Sequence, residues 1–135
     1  HPDHGRSAKL VADAAFLAGL QKIETQDENG NLQKAFRPTQ VFHYVQDRVL
    51  NPDFVFDVTP FYEKKMDSIR AYTTQFYSAD SSEPSTYISS PQFLETVKGR
   101  DMMMGKKIGV LYGEGFNTEK TIGIQDFNHI IQITT

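Results

Sequence analysis

The stretch HPDHGRSAKLVADAAFLAGL, residues 1–20, places two histidines and an aspartate directly before an amphipathic segment. The segment predicts a helix from about Gly5 to Ile23, because its apolar residues recur at helical spacing. Pro2 restricts His1 to an extended backbone, so we expect His1 to end a strand or loop and His4 to enter the helix. The apolar face of that helix comprises Leu10, Val11, Ala14, Ala15, Leu17 and Ala18.

Further elements follow along the chain. Asn29-Gly30 is typical of a hairpin tip, and alternating aromatic and β-branched residues predict strands at 41–45 and 54–58. Thr59-Pro60 and Ser90-Pro91 each read as a helix cap followed by proline at the first helical position. The first of these helices should reach about Thr74 with Met66, Ile69 and Tyr72 or Thr73 inward, and the second about Leu111. Ser78–Pro84 reads as a mobile loop, and 121–135 as a strand plus a short helix.

The composition excludes several classes of protein. A net charge of −3 on 135 residues gives no electrostatic footprint for nucleic acid. No apolar run approaches the length needed to cross a bilayer. The absence of cysteine excludes disulfides and thiolate metal sites, and it fits a cytoplasmic protein.

The His1–His4 motif has two interpretations. Imidazole and carboxylate are zinc ligands, and the natural division is one metal ligand plus one acid/base histidine whose other nitrogen is oriented by Asp3. The alternative is a pair of surface histidines with Asp3 capping the helix. Catalytic zinc takes three protein ligands, and His43 and His129 lack a matching spacing, so the sequence supplies one good ligand and lacks the others.

The motif and its surroundings resemble PIG-L/LmbE-type zinc deacetylases in order along nearly the whole chain. Within that family the chain is most similar to the bacillithiol-pathway branch that deacetylates N-acetylglucosaminyl-malate. The matching segments, besides 1–5, are Asp13 to Leu20, Arg37-Pro38, Pro52 to Val58, Glu63 to Met66, Ile69 to Phe76, Ser89-Ser90-Pro91, and Gly105 to Phe116.

The resemblance implies a role for each residue of the motif. His4 is a zinc ligand, His1 stabilises the tetrahedral oxyanion or acts as an acid, and Asp3 holds His1 in place. The other two zinc ligands and the general base lie in a His-Pro-Asp-Asp block that this sequence does not contain. The resemblance also implies a homo-oligomer, a hexamer by analogy.

We therefore expect an α/β fold, a Rossmann-like three-layer sandwich, of which residues 1–135 are the C-terminal portion of a single domain. The upstream portion, with the first metal-binding block, is expected to precede His1 as a partner in folding. The expected activity is zinc-dependent hydrolysis of an N-acetylglucosamine conjugate. The alternatives are a diacetylchitobiose-type deacetylase or thiol-conjugate amidase, and a non-catalytic fragment or interaction module.

Other residues are weaker candidates. Arg37 is expected at the mouth of the active site, where guanidinium suits a carboxylate or a sugar hydroxyl, and Tyr87 on a mobile segment over the substrate. Tyr112 and Glu114 are expected to be structural or to lie at a subunit contact. We expect solvated charges at Glu63-Lys64-Lys65 and helix packing at Met102-Met103-Met104.

Overall fold

The computed structural model describes residues 1–48, 50–76, 84 and 86–130. These residues form α1 (Pro2–Leu17), β1 (Phe42–Tyr44), β2 (Phe54–Asp57), α2 (Tyr62–Arg70), α3 (Pro91–Lys107) and β3 (Gly113–Thr118). Two 3₁₀ turns, Thr59–Phe61 and Phe127–His129, complete the described elements. The chain is thus mixed helix and sheet, which is compatible with the expected α/β class.

The strands form one sheet in the order β1-β3-β2. β2 and β3 are antiparallel, with Phe54 opposite Phe116 and Asp57 opposite Gly113. By contact density the chain divides into two compact units, His1–Tyr44 with Asn117–Gln125, and Val45–Phe116 with the described residues 126–130.

In the first unit, α1 begins three residues earlier than predicted. Pro2 occupies the first helical position, where a missing N–H costs nothing, and the His1 ring accepts a hydrogen bond from the Asp3 N–H. The helix ends at Leu17 rather than Ile23. The hairpin tip at Asn29-Gly30 is confirmed, since Gly30 has φ 81° between the bridged residues Gln26 and Leu32.

In the second unit, α2 and α3 enclose the core. Its fully buried members are Tyr62, Met66 and Val97, and the residues packed around them are Ile69, Phe93, Leu94 and Tyr112. The inward positions of Met66 and Ile69 are confirmed, whereas Tyr72 is 61% exposed, because α2 ends at Arg70 and not at Thr74.

Thr59 does not cap a helix as predicted. The residue at the cap of the 3₁₀ turn is Val58. The Thr59 hydroxyl instead donates to the Tyr112 carbonyl and accepts from the Tyr112 N–H, at 3.3 and 3.0 Å. It therefore joins the 3₁₀ turn that precedes α2 to the residue before β3.

α3 crosses Gly99 and Gly105 as predicted, and it ends at Lys107 instead of Leu111. Ser90 precedes Pro91 as expected, although its hydroxyl donates to the Tyr87 carbonyl at 2.8 Å rather than capping the helix. Of the three consecutive methionines only Met104 is buried.

The strand β3 was not predicted. In the tail, the described residues 121–130 contain the short helix as a 3₁₀ turn and no strand. The rest of the predicted tail, residues 131–135, lies outside the described residues, as does most of the predicted loop Ser78–Pro84.

Candidate active site

His1, Asp3 and His4 meet at the first turn of α1. His1 Nδ1 lies 3.4 Å from Asp3 Oδ2 and 3.3 Å from the Asp3 backbone nitrogen. The His1 and His4 rings have centroids 6.2 Å apart and are tilted by 47°. The helix therefore brings together the three residues that the motif singles out.

The two contacts of His1 Nδ1 require opposite protonation states of that nitrogen. Without a proton, Nδ1 accepts the hydrogen bond from the Asp3 N–H. With a proton, it faces the Asp3 carboxylate as an ion pair or a long hydrogen bond. Either contact fixes the ring through Nδ1 and leaves Nε2 out of the interaction.

The cluster is open to solvent. The His1 and Asp3 side chains are 64% and 66% exposed, and His4 is exposed as well. Arg6 Nη1 lies 3.6 Å from Asp3 Oδ1, so the carboxylate faces a guanidinium on one oxygen and the His1 ring on the other. Exposed ion pairs of this kind contribute little to stability. These contacts therefore orient the His1 ring and the Asp3 carboxylate more than they stabilise α1.

These residues fit one side of a zinc site. Imidazole is a zinc ligand, and a carboxylate such as that of Asp3 can orient a neighbouring imidazole through its other ring nitrogen. Among the described residues, no group of three His, Cys, Asp or Glu side chains could hold a metal ion. A catalytic zinc bound by His4 would need further protein ligands from another segment.

His43 lies on β1, away from this motif in sequence. Its Nε2 is 2.8 Å from Glu119 Oε1, on the stretch that follows β3. The pair links two parts of the first unit. The His43 side chain is 26% exposed, so it is partly packed.

The structure places Arg37 at the opposite end of α1 from the motif. Its Nη2 donates to the Phe16 carbonyl at 3.2 Å, and its guanidinium carbon lies 4.5 Å from the centre of the Phe16 ring. Phe16 is twelve residues beyond His4, a rise of about 18 Å along a helix. Arg37 therefore donates a hydrogen bond to a carbonyl at the C-terminus of α1. Its contact with substrate stays a prediction.

Tyr87 belongs to the second unit. Its side chain is 59% exposed and meets the Phe93 ring edge-on, with centroids 5.6 Å apart. Its position over a substrate also stays a prediction.

A buried charge cluster in the second unit is the feature that the sequence analysis missed. Lys65 Nζ lies 2.8 Å from Asp101 Oδ2 and 3.1 Å from Glu114 Oε1. Asp101 is only 1% exposed. Its Oδ2 makes no well-aligned hydrogen bond, so we treat the Lys65 contact as an ion pair.

The prediction of a solvated charge was therefore wrong for Lys65. The sequence does carry a signal for this cluster, since Asp101 lies four residues after Val97 and three before Met104, on the buried stripe of α3. A carboxylate on such a stripe requires a cationic partner. The geometry favours the structural interpretation of Glu114.

Tyr112 is likewise structural in its geometry. Its ring stacks on Tyr62, with centroids 3.6 Å apart and planes 8° from parallel. Burial, with the charge of Asp101 as a smaller cause, raises the pKa of Tyr62 to about 12. The Tyr62 hydroxyl has no hydrogen-bond partner among the described residues.

No protein-family model matches the chain. Within the described residues, every helix is too short or too polar to cross a bilayer.

Proposed function

We propose that this chain is part of a zinc-dependent N-deacetylase that hydrolyses the acetamide of a glucosamine conjugate to a free amine and acetate. The observation that supports it best is the contact of His1 Nδ1 with Asp3 next to the exposed His4. The second support is the resemblance of the surrounding sequence to PIG-L/LmbE-type deacetylases. We infer from the same resemblance that the complete domain is a Rossmann-like sandwich.

His4 is the residue of this chain that would hold the metal. Zinc supplies Lewis acidity in such a site. Because a catalytic zinc takes three protein ligands, the proposal requires two more from a segment outside these residues, for which the His-Pro-Asp-Asp block of the resembling family is the candidate.

His1 would act through Nε2. With its Nδ1 proton facing Asp3, a protonated ring presents Nε2–H to the developing oxyanion or to the leaving nitrogen. Asp3 keeps that orientation and stabilises the cationic ring. Amide hydrolysis needs a proton on the departing amine, and His1 is the group of this cluster placed to give it.

The substrate proposed first is N-acetylglucosaminyl-malate, in bacillithiol biosynthesis. The test is release of acetate by the protein expressed from its complete gene, with N-acetylglucosaminyl-malate and diacetylchitobiose compared side by side. We expect faster release from the malate conjugate. Faster release from diacetylchitobiose would mean that the substrate is different while the deacetylation reaction is as proposed. If the zinc-loaded protein released acetate from neither compound, the proposal would be contradicted.

His1→Ala tests the division of roles. We expect turnover to fall by about 100-fold or more, since removal of an acid/base group costs that much, with the zinc content retained. Loss of zinc equal to that of His4→Ala would contradict the assigned roles. Self-association into a hexamer remains a proposal from the same resemblance.

A further inference from the structure

A cleft of about 240 Å³ lies within the second unit, along one face of α3. Phe93, Val97, Arg100 and Met104 line it from the helix, because residues three or four apart share a helix face. Residues 47–48, in the segment that follows β1, line it as well. The candidate active site belongs to the first unit, so this cleft is a different feature of the protein.

The lining from α3 is mostly apolar. Val97 and Met104 are buried, whereas Met103 is 44% exposed and Phe93 is half-buried. Methionine is flexible and polarizable, so it adapts to apolar groups of irregular shape. The volume of the cleft is below the roughly 300–1,000 Å³ of sites that bind drug-sized ligands. The cleft therefore suits a small ligand with a compact apolar part.

Arg100 brings to the cleft a guanidinium group that pairs with a buried carboxylate. Its Nε lies 3.6 Å from Asp101 Oδ1, and its side chain is 25% exposed. Within the described ranges, its two terminal nitrogens donate no hydrogen bond. Guanidinium binds a carboxylate through two parallel N–H donors. Arg100 thus has donors left for a carboxylate that enters the cleft.

Arg48 adds a second guanidinium group. Its side chain is exposed, and none of the described residues forms an ion pair or a hydrogen bond with it. Asp47 contributes one negative charge, so the two arginines and this aspartate leave the lining with one net positive charge. A lining of this charge complements one negative charge on a ligand.

We propose that this cleft binds a small organic carboxylate that carries one negative charge and an apolar group. Arg48 and Arg100 bind the carboxylate, and Phe93 and Met103 contact the apolar group. The inference adds a second binding site to the proposed function. It does not depend on zinc or on deacetylation, because no residue of the His1–His4 motif takes part.

Isothermal titration calorimetry of the protein expressed from its complete gene tests the site. The probes are 3-phenylpropionate and its uncharged amide, 3-phenylpropionamide. We expect the carboxylate to bind at least about 10-fold more tightly, because hydrogen bonds to charged groups are worth that difference. Arg48→Gln should weaken binding of the carboxylate by about 10-fold for the same reason. Lys98→Gln is the matched control and should leave the affinity unchanged, because Lys98 is exposed on α3 and does not line the cleft.

Gly99→Leu tests the cleft without a change of charge. Gly99 lines the cleft, and a Cβ added there meets nothing within 4 Å. Leucine is a good helix former, so the variant should fold, which circular dichroism checks, and the new side chain should take up space in the cleft. We expect loss of measurable binding of 3-phenylpropionate.

Three results would overturn the proposal. The first is an absence of saturable binding of 3-phenylpropionate by the complete protein, as when another segment fills the cleft. The second is equal affinity for the carboxylate and the amide, or equal affinity of Arg48→Gln and Lys98→Gln for the carboxylate. The third is binding that His4→Ala abolishes and Arg48→Gln leaves intact, which would place the carboxylate at the candidate metal ligand.

Discussion

Lys65 lies at the centre of the buried charge cluster of the second unit. It lies within 3.1 Å of carboxylates on both α3 and β3, and Asp101 is almost completely buried. Without Lys65, the buried Asp101 would keep only Arg100, whose Nε lies 3.6 Å from Asp101 Oδ1, and removal of one partner from a buried ion pair costs about 3–5 kcal/mol. We expect Lys65→Met to lower the free energy of unfolding by that amount in urea denaturation.

Lys64→Met is the matched control, because Lys64 is exposed on the same turn of α2. It should change stability by less than about 0.5 kcal/mol. In the double variant Lys65→Met/Asp101→Leu we expect most of the loss to be recovered, since no charge remains buried. Equal effects of Lys64→Met and Lys65→Met would show that the ion pair does not stabilise the fold.

Tyr62 is expected to make the free energy of unfolding depend on pH in the alkaline range. Its pKa is raised to about 12, whereas an unfolded tyrosine titrates near 10. Between these values the unfolded chain loses a proton that the folded chain keeps, so the free energy of unfolding falls as pH rises through the window. The expected loss is on the order of 2 kcal/mol.

The check is urea denaturation of wild type and Tyr62→Phe between pH 8 and 11.5. Tyr62→Phe should be near-neutral at pH 8, because the hydroxyl has no partner among the described residues, and it should flatten the alkaline decline. Tyr72→Phe, which changes an exposed tyrosine, should keep the wild-type slope. If Tyr62→Phe leaves the fall of the free energy of unfolding with pH unchanged, groups other than Tyr62 cause it.

At the scale of elements, the approach of α3 to β3 depends on glycine. A Cβ added at Gly105 would lie 2.7 Å from the Val110 carbonyl oxygen and 2.9 Å from the Leu111 backbone. Gly113 is equally close, since its Cβ would lie 2.8 Å from the Gly105 nitrogen. The contacts are with backbone, which cannot move aside as a side chain can.

We therefore expect Gly105→Ala to lower the thermal midpoint and the free energy of unfolding by about 1–3 kcal/mol. Gly99→Ala is the control on the same helix, where an added Cβ meets nothing within 4 Å. It should stabilise by about 0.5–1 kcal/mol, the helix preference of alanine over glycine. A stabilising Gly105→Ala would contradict the close approach.

The sequence predicted the elements that have a local pattern, and it missed the strand that contains these glycines. α3 and the strands β1 and β2 follow from local pattern, with β-branched and aromatic residues or a proline start. β3 contains Gly-Glu-Gly, which has low strand preference. A Cβ added at Gly113 would meet Val55 on β2 and Gly105 on α3, so the glycine there is required by a tertiary contact that local pattern does not show. Thr59 was misassigned for a similar reason, since its partner Tyr112 is 53 residues away.

For the candidate site, the motif predicted the cluster and not its surroundings. His1, Asp3 and His4 meet because they share one helical turn, which is a local property. Arg37 was expected at the mouth of the active site from resemblance. Its guanidinium donates to the Phe16 carbonyl at the other end of α1 from the motif, and its contact with substrate stays a prediction. The pairing of Lys65 with Asp101 depends on the packing of two helices, which local pattern does not specify.

For the protein as a whole, the proposed activity depends on a metal centre that this chain would complete only in part. We propose that His4 is the ligand supplied here and that His1 and Asp3 act beside it. Each of these statements requires that zinc bind through His4.

The most direct measurement is the zinc content of the protein expressed from its complete gene, compared with that of His4→Ala and His1→Ala after dialysis. We predict about one zinc ion per chain in wild type, nearly the same in His1→Ala, and little or none in His4→Ala although it remains folded. A folded His4→Ala that keeps the wild-type zinc content, or a wild type that binds none, would contradict the account.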